Sequence, residues 1–280
     1  MIKSVLSRSL IAALLVGASN AALAADLDNI IYAPELPRTV PVEVGNGWYL
    51  RGDVSYDFST SGDATSFRSW DFNTSTEGPA VGYSSSSFET DWGVGLGLGY
   101  QFTNWLRGEA MLNYQRGTFS ATSSSAAVPC TGLLADGCDT SGAADFESYG
   151  LMANGYVDLG TYSGFTPYVG AGAGLTLVDY DSYVASETCV GACPGGTTPV
   201  TVSHAGQADW RFTYALMAGV SYEFVRNLKA DLGYRYTNVG SGDIYGFDSV
   251  SAAAGATGVQ SSDNGYSTHA VTASLRYALW

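Results

Sequence analysis

Residues 90–100 of this 280-residue chain have the sequence TDWGVGLGLGY. From Trp92 to Tyr100 every second residue is large and apolar, and the residues between them are glycine. Successive side chains of a β-strand point to opposite faces, so this period of two predicts a strand with one oily face. Similar alternation recurs in seven further segments, in several of which the second face carries charges, as in Leu50 to Phe58. An oily outer face and a polar inner face are typical of a barrel in a membrane.

The predicted strands and their connections define the fold class, an all-β, transmembrane, up-and-down antiparallel β-barrel of eight strands. The strands are 48–58, 88–101, 106–115, 146–159, 167–180, 210–224, 228–236 and 267–279. Short turns alternate with long connections rich in Ser, Thr, Gly, Ala and Asp, namely 60–87, 120–145, 183–207 and 241–264. This asymmetry predicts short periplasmic turns and four long extracellular loops.

The N-terminal region predicts export from the cytoplasm. Residues 1–24 resemble a signal peptide, because Lys3 and Arg8 precede an apolar stretch and small residues precede Ala25. Residues 25–47 contain three prolines without periodicity and are predicted to be a periplasmic lead segment, and 48–280 the barrel domain. Beyond the signal no segment approaches the ~20 continuous apolar residues that a transmembrane helix needs.

Charge and cysteine content narrow the choice of partners and ligands. The formal net charge of −14 disfavours a nucleic-acid partner. In an exported chain Cys130, Cys138, Cys189 and Cys193 are candidates for disulfides. Three connectivities are possible, of which pairing of nearest neighbours closes the smallest loops. Zinc binding is disfavoured because no CxxC motif is present, so we predict no metal and no cofactor.

Aromatic residues cluster where the strands should cross the two membrane interfaces. One group lies near the short turns: Trp48, Phe102, Trp105, Phe165, Phe224 and Trp280. A second group lies toward the long connections: Tyr56, Phe58, Phe88, Tyr114, Trp210 and Tyr236. Because amphipathic rings prefer the headgroup level, the two groups predict two aromatic girdles.

The inward faces of the strands carry a set of charged residues that forms the candidate lumen charge network. Its members are Arg51, Asp53, Asp57, Asp91, Arg107, Glu109, Arg211, Glu223, Lys229, Asp231 and Arg235. The interior of an eight-stranded barrel is just wide enough to be filled by side chains. We therefore favour a packed, salt-bridged plug over a narrow charge-lined pore. Glycines on the inward face leave room for large side chains from the opposite wall.

Catalysis has weak support in the sequence. Ser267 and His269 would share a face at the loop end of the last strand, where that strand begins, but no acid stands beside them. We therefore predict that the protein is not an enzyme and keep a lipid hydrolase as the weakest alternative. The acidic long connections, which include Asp248 and Asp263, are predicted to be solvated and available for surface contacts.

Several segments resemble a known family. The signal, the Pro-rich lead, Pro167 to Gly174 (PYVGAGAG), Leu232 to Thr237 (LGYRYT) and Leu275-Arg276-Tyr277 are similar to the small outer-membrane β-barrel proteins, especially the porin-like 25/31-kDa surface-antigen group. The resemblance implies an eight-stranded barrel in a Gram-negative outer membrane, inserted by the barrel-assembly machinery with periplasmic chaperones. In one departure from the family, Trp280 is out of phase with Tyr277.

These observations predict a monomeric outer-membrane protein with a structural or surface role, such as envelope integrity, surface antigen or adhesion. Its expected partners are outer-membrane lipid, lipopolysaccharide through bridging divalent cations, and a host or envelope ligand of the loops. The alternative function is a narrow porin-like channel for small solutes.

Overall fold

The computed structural model describes residues 47–71, 74–125, 137–191, 193, 196 and 198–279. The predicted signal peptide, residues 25–46 of the lead segment, Cys130 and Trp280 lie outside this part of the chain. The described strands are β1 (Trp48–Asp71), β2 (Thr76–Gly82), β3 (Ser85–Gln101), β4 (Leu106–Ser125), β5 (Gly137–Asp158), β6 (Phe165–Tyr180), β7 (Tyr183–Val190), β8 (Val200–Gly206), β9 (Ala208–Val225), β10 (Leu228–Val239), β11 (Gly242–Asp248) and β12 (Val259–Ala278). A short helix, α1 (Ser249–Ala253), follows β11.

Eight of these strands close into a ring. Antiparallel pairing runs in the order β1, β3, β4, β5, β6, β9, β10 and β12, and β12 pairs back onto β1, with Leu50 opposite Tyr277. Closure leaves this ring without a free edge. The predicted eight-stranded up-and-down barrel is therefore confirmed.

The wall of the barrel continues into the segments that the sequence assigns to the long connections. The first half of β5 pairs with β7 instead of β6, and the first part of β12 pairs with β11 instead of β10. β8 joins β7 to β11. We call this part the extension; it consists of β2, β7, β8, β11 and the adjoining ends of β1, β3, β4, β5 and β12. The strands are thus longer than predicted.

β5 shows how one strand serves two environments. Its even-numbered residues face inward along its whole length, and its odd-numbered residues face outward. Near the short turns the outward residues are apolar, such as Leu151, and the inward ones include the buried Tyr156. In the extension the outward residues are polar, such as Asp145, and the inward ones include the fully buried Phe146. In the extension, polar side chains therefore face outward and aromatic ones inward, as in a water-soluble barrel. Near the short turns this distribution is reversed.

The part of the ring between the short turns and the extension carries a continuous apolar outer surface. Its exposed side chains include Leu50, Val94, Leu96, Leu112, Leu151, Val169, Leu175, Leu216, Leu232, Val271 and Leu275. Of the predicted girdle residues, Trp48, Trp105, Phe165, Trp210 and Phe224 lie exposed on the outside. Such a band bordered by aromatic rings is typical of a barrel surface in contact with lipid. No helix among the described residues is long and apolar enough to cross a membrane.

A β-bulge in β3 changes two predicted orientations. The register with β4 shifts between Thr90 and Gly93, so that Asp91 and Trp92 both lie exposed on the outside. On the far side of the bulge Thr90 and Phe88 are buried inside. Asp91 is therefore not a lumen residue, and Phe88 belongs to the interior instead of the girdle. The cause is the extra residue of the bulge, which reverses the alternation beyond it.

Candidate functional site

The lumen next to the short turns is filled by a lattice of ion pairs centred on Arg51. The Nε of Arg51 donates to Asp53 at 2.7 Å, and its Nη1 donates to Glu109 at 3.2 Å. Arg107 donates to Glu109 at 3.0 Å and to Asp158 at 3.1 Å. All five side chains are almost completely buried. β1, β4 and β5 position them, because inward residues alternate with lipid-facing ones along each strand.

Two further arginines complete this arrangement, which we call the charge lattice. Arg276 donates to both carboxylate oxygens of Asp231, and Arg235 donates to Asp53 at 2.9 Å. The charge lattice then holds equal numbers of cations and anions: Arg51, Arg107, Arg235 and Arg276 with Asp53, Glu109, Asp158 and Asp231. Buried charges are costly unless they are paired, and this balance pairs every one of them.

Aromatic and thioether side chains pack against the charge lattice. The guanidinium carbon of Arg107 lies 4.1 Å from the ring centre of Tyr156 and 4.8 Å from that of Tyr168. These tyrosines form a buried cluster with Met111, Met152, Ala215 and Met217. Stacking of guanidinium on aromatic rings stabilises a cation that has lost its water. The lumen is consequently packed at this level.

A small polar chamber lies above the charge lattice. Its volume is about 70 Å³, and its lining includes Asp57, Asn113, Gln115, Thr176, Thr213 and Tyr266. Thr90 Oγ1 donates to Asp57 at 2.6 Å, and Gln115 also donates to this carboxylate. The chamber is therefore large enough to hold a few water molecules.

A second plug closes the lumen inside the extension. We call it the aromatic core; its rings are Phe88, Phe119, Phe146, Tyr180, Tyr183, Tyr245 and Tyr266. Tyr183 stacks on Tyr245 with ring centres 4.5 Å apart, and Phe88 lies 5.1 Å from Phe119. Aromatic pairs at these separations are favourable beyond the area that they bury.

Arg211 lies at the base of the aromatic core and apart from the charge lattice. Its Nη1 is 2.9 Å from Asp263, which also accepts the hydroxyl of Tyr180 at 3.2 Å and the amide of Gly265 at 2.6 Å. Burial raises the pKa of Asp263, and the nearby guanidinium of Arg211 opposes that rise. Asp263 is thus a buried partner and not the solvated loop residue that the sequence predicts.

The structure brings most of the predicted lumen residues inside, but in separate groups. The charge lattice holds Arg51, Asp53, Arg107, Glu109, Asp231 and Arg235. Asp57 lines the chamber, and Glu223 pairs with Lys229 at 3.0 Å, where both side chains are exposed. Sequence reasoning missed Asp158 and Arg276, although the same alternation places both on inward faces.

The residues considered for catalysis lie on the outer surface. The hydroxyl of Tyr234 and Nδ1 of His269 form a hydrogen bond of 2.6 Å, and the Ser267 hydroxyl donates to the Ser61 carbonyl at 3.4 Å. His269 also lies 5.1 Å from the ring of Tyr236. Ser267 and His269 thus have separate partners, and His269 packs against the predicted girdle residue Tyr236.

The cysteines lie at the far end of the extension. Cys189 and Cys193 form a disulfide with Cα atoms 5.8 Å apart. Cys138 lies opposite Cys189 in the pairing of β5 with β7, whereas Cys130, its nearest cysteine in the sequence, is outside the described residues. Within the described part of the chain no group of three or more His, Cys, Asp or Glu is arranged to hold a metal ion.

Comparison with known proteins places this architecture in a family. Uncharacterised proteins of Brucella abortus (strain 2308) and Brucella suis biovar 1 (strain 1330) are each 36% identical to the chain over 281 residues, covering 94% of both sequences.

Two solved structures are similar at low identity. Neisserial surface protein A is 18% identical with a TM-score of 0.42, covering 84% of this chain and 99% of that one. The outer membrane protein OprG from Pseudomonas aeruginosa is 14% identical with a TM-score of 0.44, covering 84% and 97%. The family model of the outer membrane protein beta-barrel domain matches residues 10–278. The chain therefore belongs to the family of outer membrane protein beta-barrel domains.

Proposed function

We propose that the protein is a non-conducting, monomeric barrel of the Gram-negative outer membrane that holds a rigid extension above the lipid for a structural or surface-contact role. The observation that carries this proposal is the double closure of the lumen. The charge lattice fills one end, the aromatic core fills the other, and the chamber between them measures about 70 Å³. A solute would have to displace both plugs, whereas a porin needs a continuous aqueous path.

Planar-bilayer recording tests this proposal. We expect the refolded protein to give no unitary conductance. The double variant Phe88→Ala/Phe119→Ala loosens the aromatic core, and Arg107→Ser/Asp158→Ser removes one balanced pair from the charge lattice. Each double variant alone should stay silent because the other plug remains, and their combination should conduct. Heat-dependent gel migration shows that each protein is folded. Discrete channels in the wild type that scale with protein dose would support the narrow-pore alternative instead.

We further propose that outward carboxylates just above the apolar band contact lipopolysaccharide through divalent cations. A groove on the outer surface next to the bulge is lined by five acidic side chains, Glu89, Asp91, Asp145, Glu147 and Asp181, together with the rings of Trp92 and Tyr114. Arg116 already neutralises Glu147 at 2.6 Å. Carboxylates and phosphate oxygens both prefer hard cations such as Mg²⁺ and Ca²⁺, so a shared ion can join them.

Thermal unfolding in vesicles tests this contact. In lipopolysaccharide vesicles, adding Mg²⁺ should raise the midpoint of heat-dependent gel migration, and chelation should reverse the rise. The variant Glu89→Gln/Asp91→Asn/Asp145→Asn/Asp181→Asn should lose most of this Mg²⁺ response. Asp139→Asn, an outward residue farther from the lipid, is the matched control. An equal response in phosphatidylcholine vesicles would argue against lipopolysaccharide as the partner.

A further inference from the structure

Helix α1 begins directly after β11, whose last residue, Asp248, is still paired with His204 of β8. Five consecutive residues, Ile244 to Asp248, are buried, which a strand with one face in water does not show. Asp248 then caps α1, because its Oδ1 accepts the amides of Val250 at 2.8 Å and Ser251 at 3.0 Å. Phe247 packs against Trp70 at the end of β1, with ring centres 6.2 Å apart. The end of β11 is therefore buried on both faces, and the exposed helix α1 begins directly after it.

His204 lies directly beneath this segment. It faces Asp248 in the pairing of β8 with β11, and its imidazole lies 5.1 Å from the ring of Tyr245. His204 is 5% exposed and Asp248 is 2% exposed. His204 Nδ1, Asp248 Oδ2 and Gln260 Oε1 are nevertheless buried without a hydrogen-bond partner among the described residues. The polar groups of His204, Asp248 and Gln260 are thus enclosed together, away from water.

The surroundings of His204 decide the effect of a proton on it. The charged group that faces His204 is Asp248 of β11, and β12 contributes the neutral amide of Gln260. On the side of β7 His204 contacts Tyr183, and the buried carboxyl of Glu187 lies farther along that strand. Burial lowers the pKa of His204, and Asp248, Gln260 and the Gly246 backbone oppose that shift without cancelling it. Burial raises the pKa of Tyr183 and Tyr245, so their hydroxyls stay neutral.

We propose that His204 and Asp248 form a pH-sensitive latch that holds the end of β11, and with it α1, in place near neutral pH and releases them in acid. In the closed state His204 is neutral and shielded from water. Once the end of β11 has moved away together with α1, the imidazole is hydrated and binds a proton with a pKa of about 6.5. Protons therefore bind the released state better and shift the population toward it. Each pKa unit between the two states changes their ratio up to tenfold.

Hydrogen exchange measured by mass spectrometry tests the latch in the full-length barrel refolded into vesicles. The peptide that covers α1 should lose protection at least threefold between pH 7.5 and pH 5.0, after correction for intrinsic exchange rates. A peptide from the lipid-facing half of β5 serves as the internal reference and should not change. If α1 is unprotected already at pH 7.5, or equally protected at both values, the proposal is overturned.

Two variants identify the titrating group. His204→Gln keeps a neutral polar side chain and should abolish the acid response while the barrel still migrates as a folded species. Asp248→Asn keeps an effective N-cap and removes the charge, so α1 should still be released in acid. Loss of the response in Asp248→Asn with its persistence in His204→Gln would assign the switch to Asp248 and refute the latch as stated.

Discussion

Arg276 binds Asp231 through two hydrogen bonds inside the lumen, from Nε to Oδ2 at 2.7 Å and from Nη2 to Oδ1 at 2.8 Å. The same carboxylate lies 3.7 Å from Nη1 of Arg51. One carboxylate on β10 thus serves two guanidinium groups on β12 and β1. Removing it would leave two buried cations competing for the remaining anions.

Asp231→Ala is therefore expected to lower the free energy of unfolding by about 3–5 kcal/mol, the usual cost of breaking a buried pair from one side. Urea unfolding in vesicles measures the loss. The double variant Asp231→Leu/Arg276→Leu keeps the charge lattice balanced and should lose less than the single variant. Glu223→Ala, in the exposed pair with Lys229, is the control and should cost less than about 1 kcal/mol. Equal losses in Asp231→Ala and Glu223→Ala would contradict a buried, balanced lattice.

We expect a methyl group to have different effects on the free energy of unfolding at two glycines on neighbouring strands. Gly174 lies on the inward face of β6, where a Cβ would overlap the Leu151 carbonyl and the Met152 backbone. Gly155 lies on the outward face of β5, where a Cβ would meet nothing within 4 Å. Gly174→Ala should cost about 1–3 kcal/mol because backbone atoms cannot move aside easily. Gly155→Ala should be near neutral in the same urea assay, and a comparable cost at both sites would contradict the inward orientation of Gly174.

The strands in lipid could be predicted from the sequence because each one needs an apolar face there. In the extension that requirement disappears. Residues 137–147 keep the same alternation as the rest of β5, but their outward side chains are Ser, Ala, Asp and Glu. Such a composition predicts a loop, since β-propensity depends strongly on what the strand packs against. The packing that makes it a strand comes from distant residues such as Phe119 and Tyr183, whose arrangement one sequence does not reveal.

The contacts of the candidate site could likewise be predicted in the lipid-facing strands but not in the extension. Alternation within a strand placed Arg51, Glu109 and Asp231 inward. In the structure Arg51 contacts Glu109 and Asp231, and Asp231 also binds Arg276. The pairing of Arg211 with Asp263 depends on the extension being folded, so it could not be anticipated. The predicted inward orientation of Asp91 is wrong for a local reason. A bulge adds one residue to β3, and the alternating pattern of the sequence gives no sign of it.

Cysteine labelling tests the bulge. In Asp91→Cys the thiol should react with a membrane-impermeant maleimide, because Asp91 lies exposed on the outside. In Thr90→Cys and Phe88→Cys the thiol should stay unreactive until the barrel is unfolded, because both residues are buried. The wild type supplies the background, since the described residues contain no free cysteine. The reverse pattern, in which the thiol of Thr90→Cys reacts and that of Asp91→Cys is protected, would restore uninterrupted alternation through this segment.

We expect the extension to lose stability at alkaline pH because of Tyr83, which packs against the aromatic core. Tyr83 bonds to the hydroxyl of Tyr245 and, at 2.8 Å, to that of Ser261. Burial raises the pKa of Tyr83 to about 12, and hydrogen bonds to Ser261 and Tyr245 oppose the rise. An unfolded tyrosine ionises near pH 10. The unfolded state therefore loses its proton first, and the stability of the extension is complete below about pH 10 and falls between pH 10 and pH 12.

Comparing Tyr83→Phe with the wild type measures this contribution. Between pH 9 and pH 11.5 the wild type should lose about 2 kcal/mol more than the variant, because the shift of Tyr83 spans roughly two pKa units. Near-ultraviolet circular dichroism during urea unfolding follows the packed rings. Tyr162→Phe, at an exposed position in the short turn between β5 and β6, should keep the wild-type pH dependence. If Tyr83→Phe and the wild type lose stability equally, the hydroxyl of Tyr83 is hydrated and the aromatic core is open to water at that point.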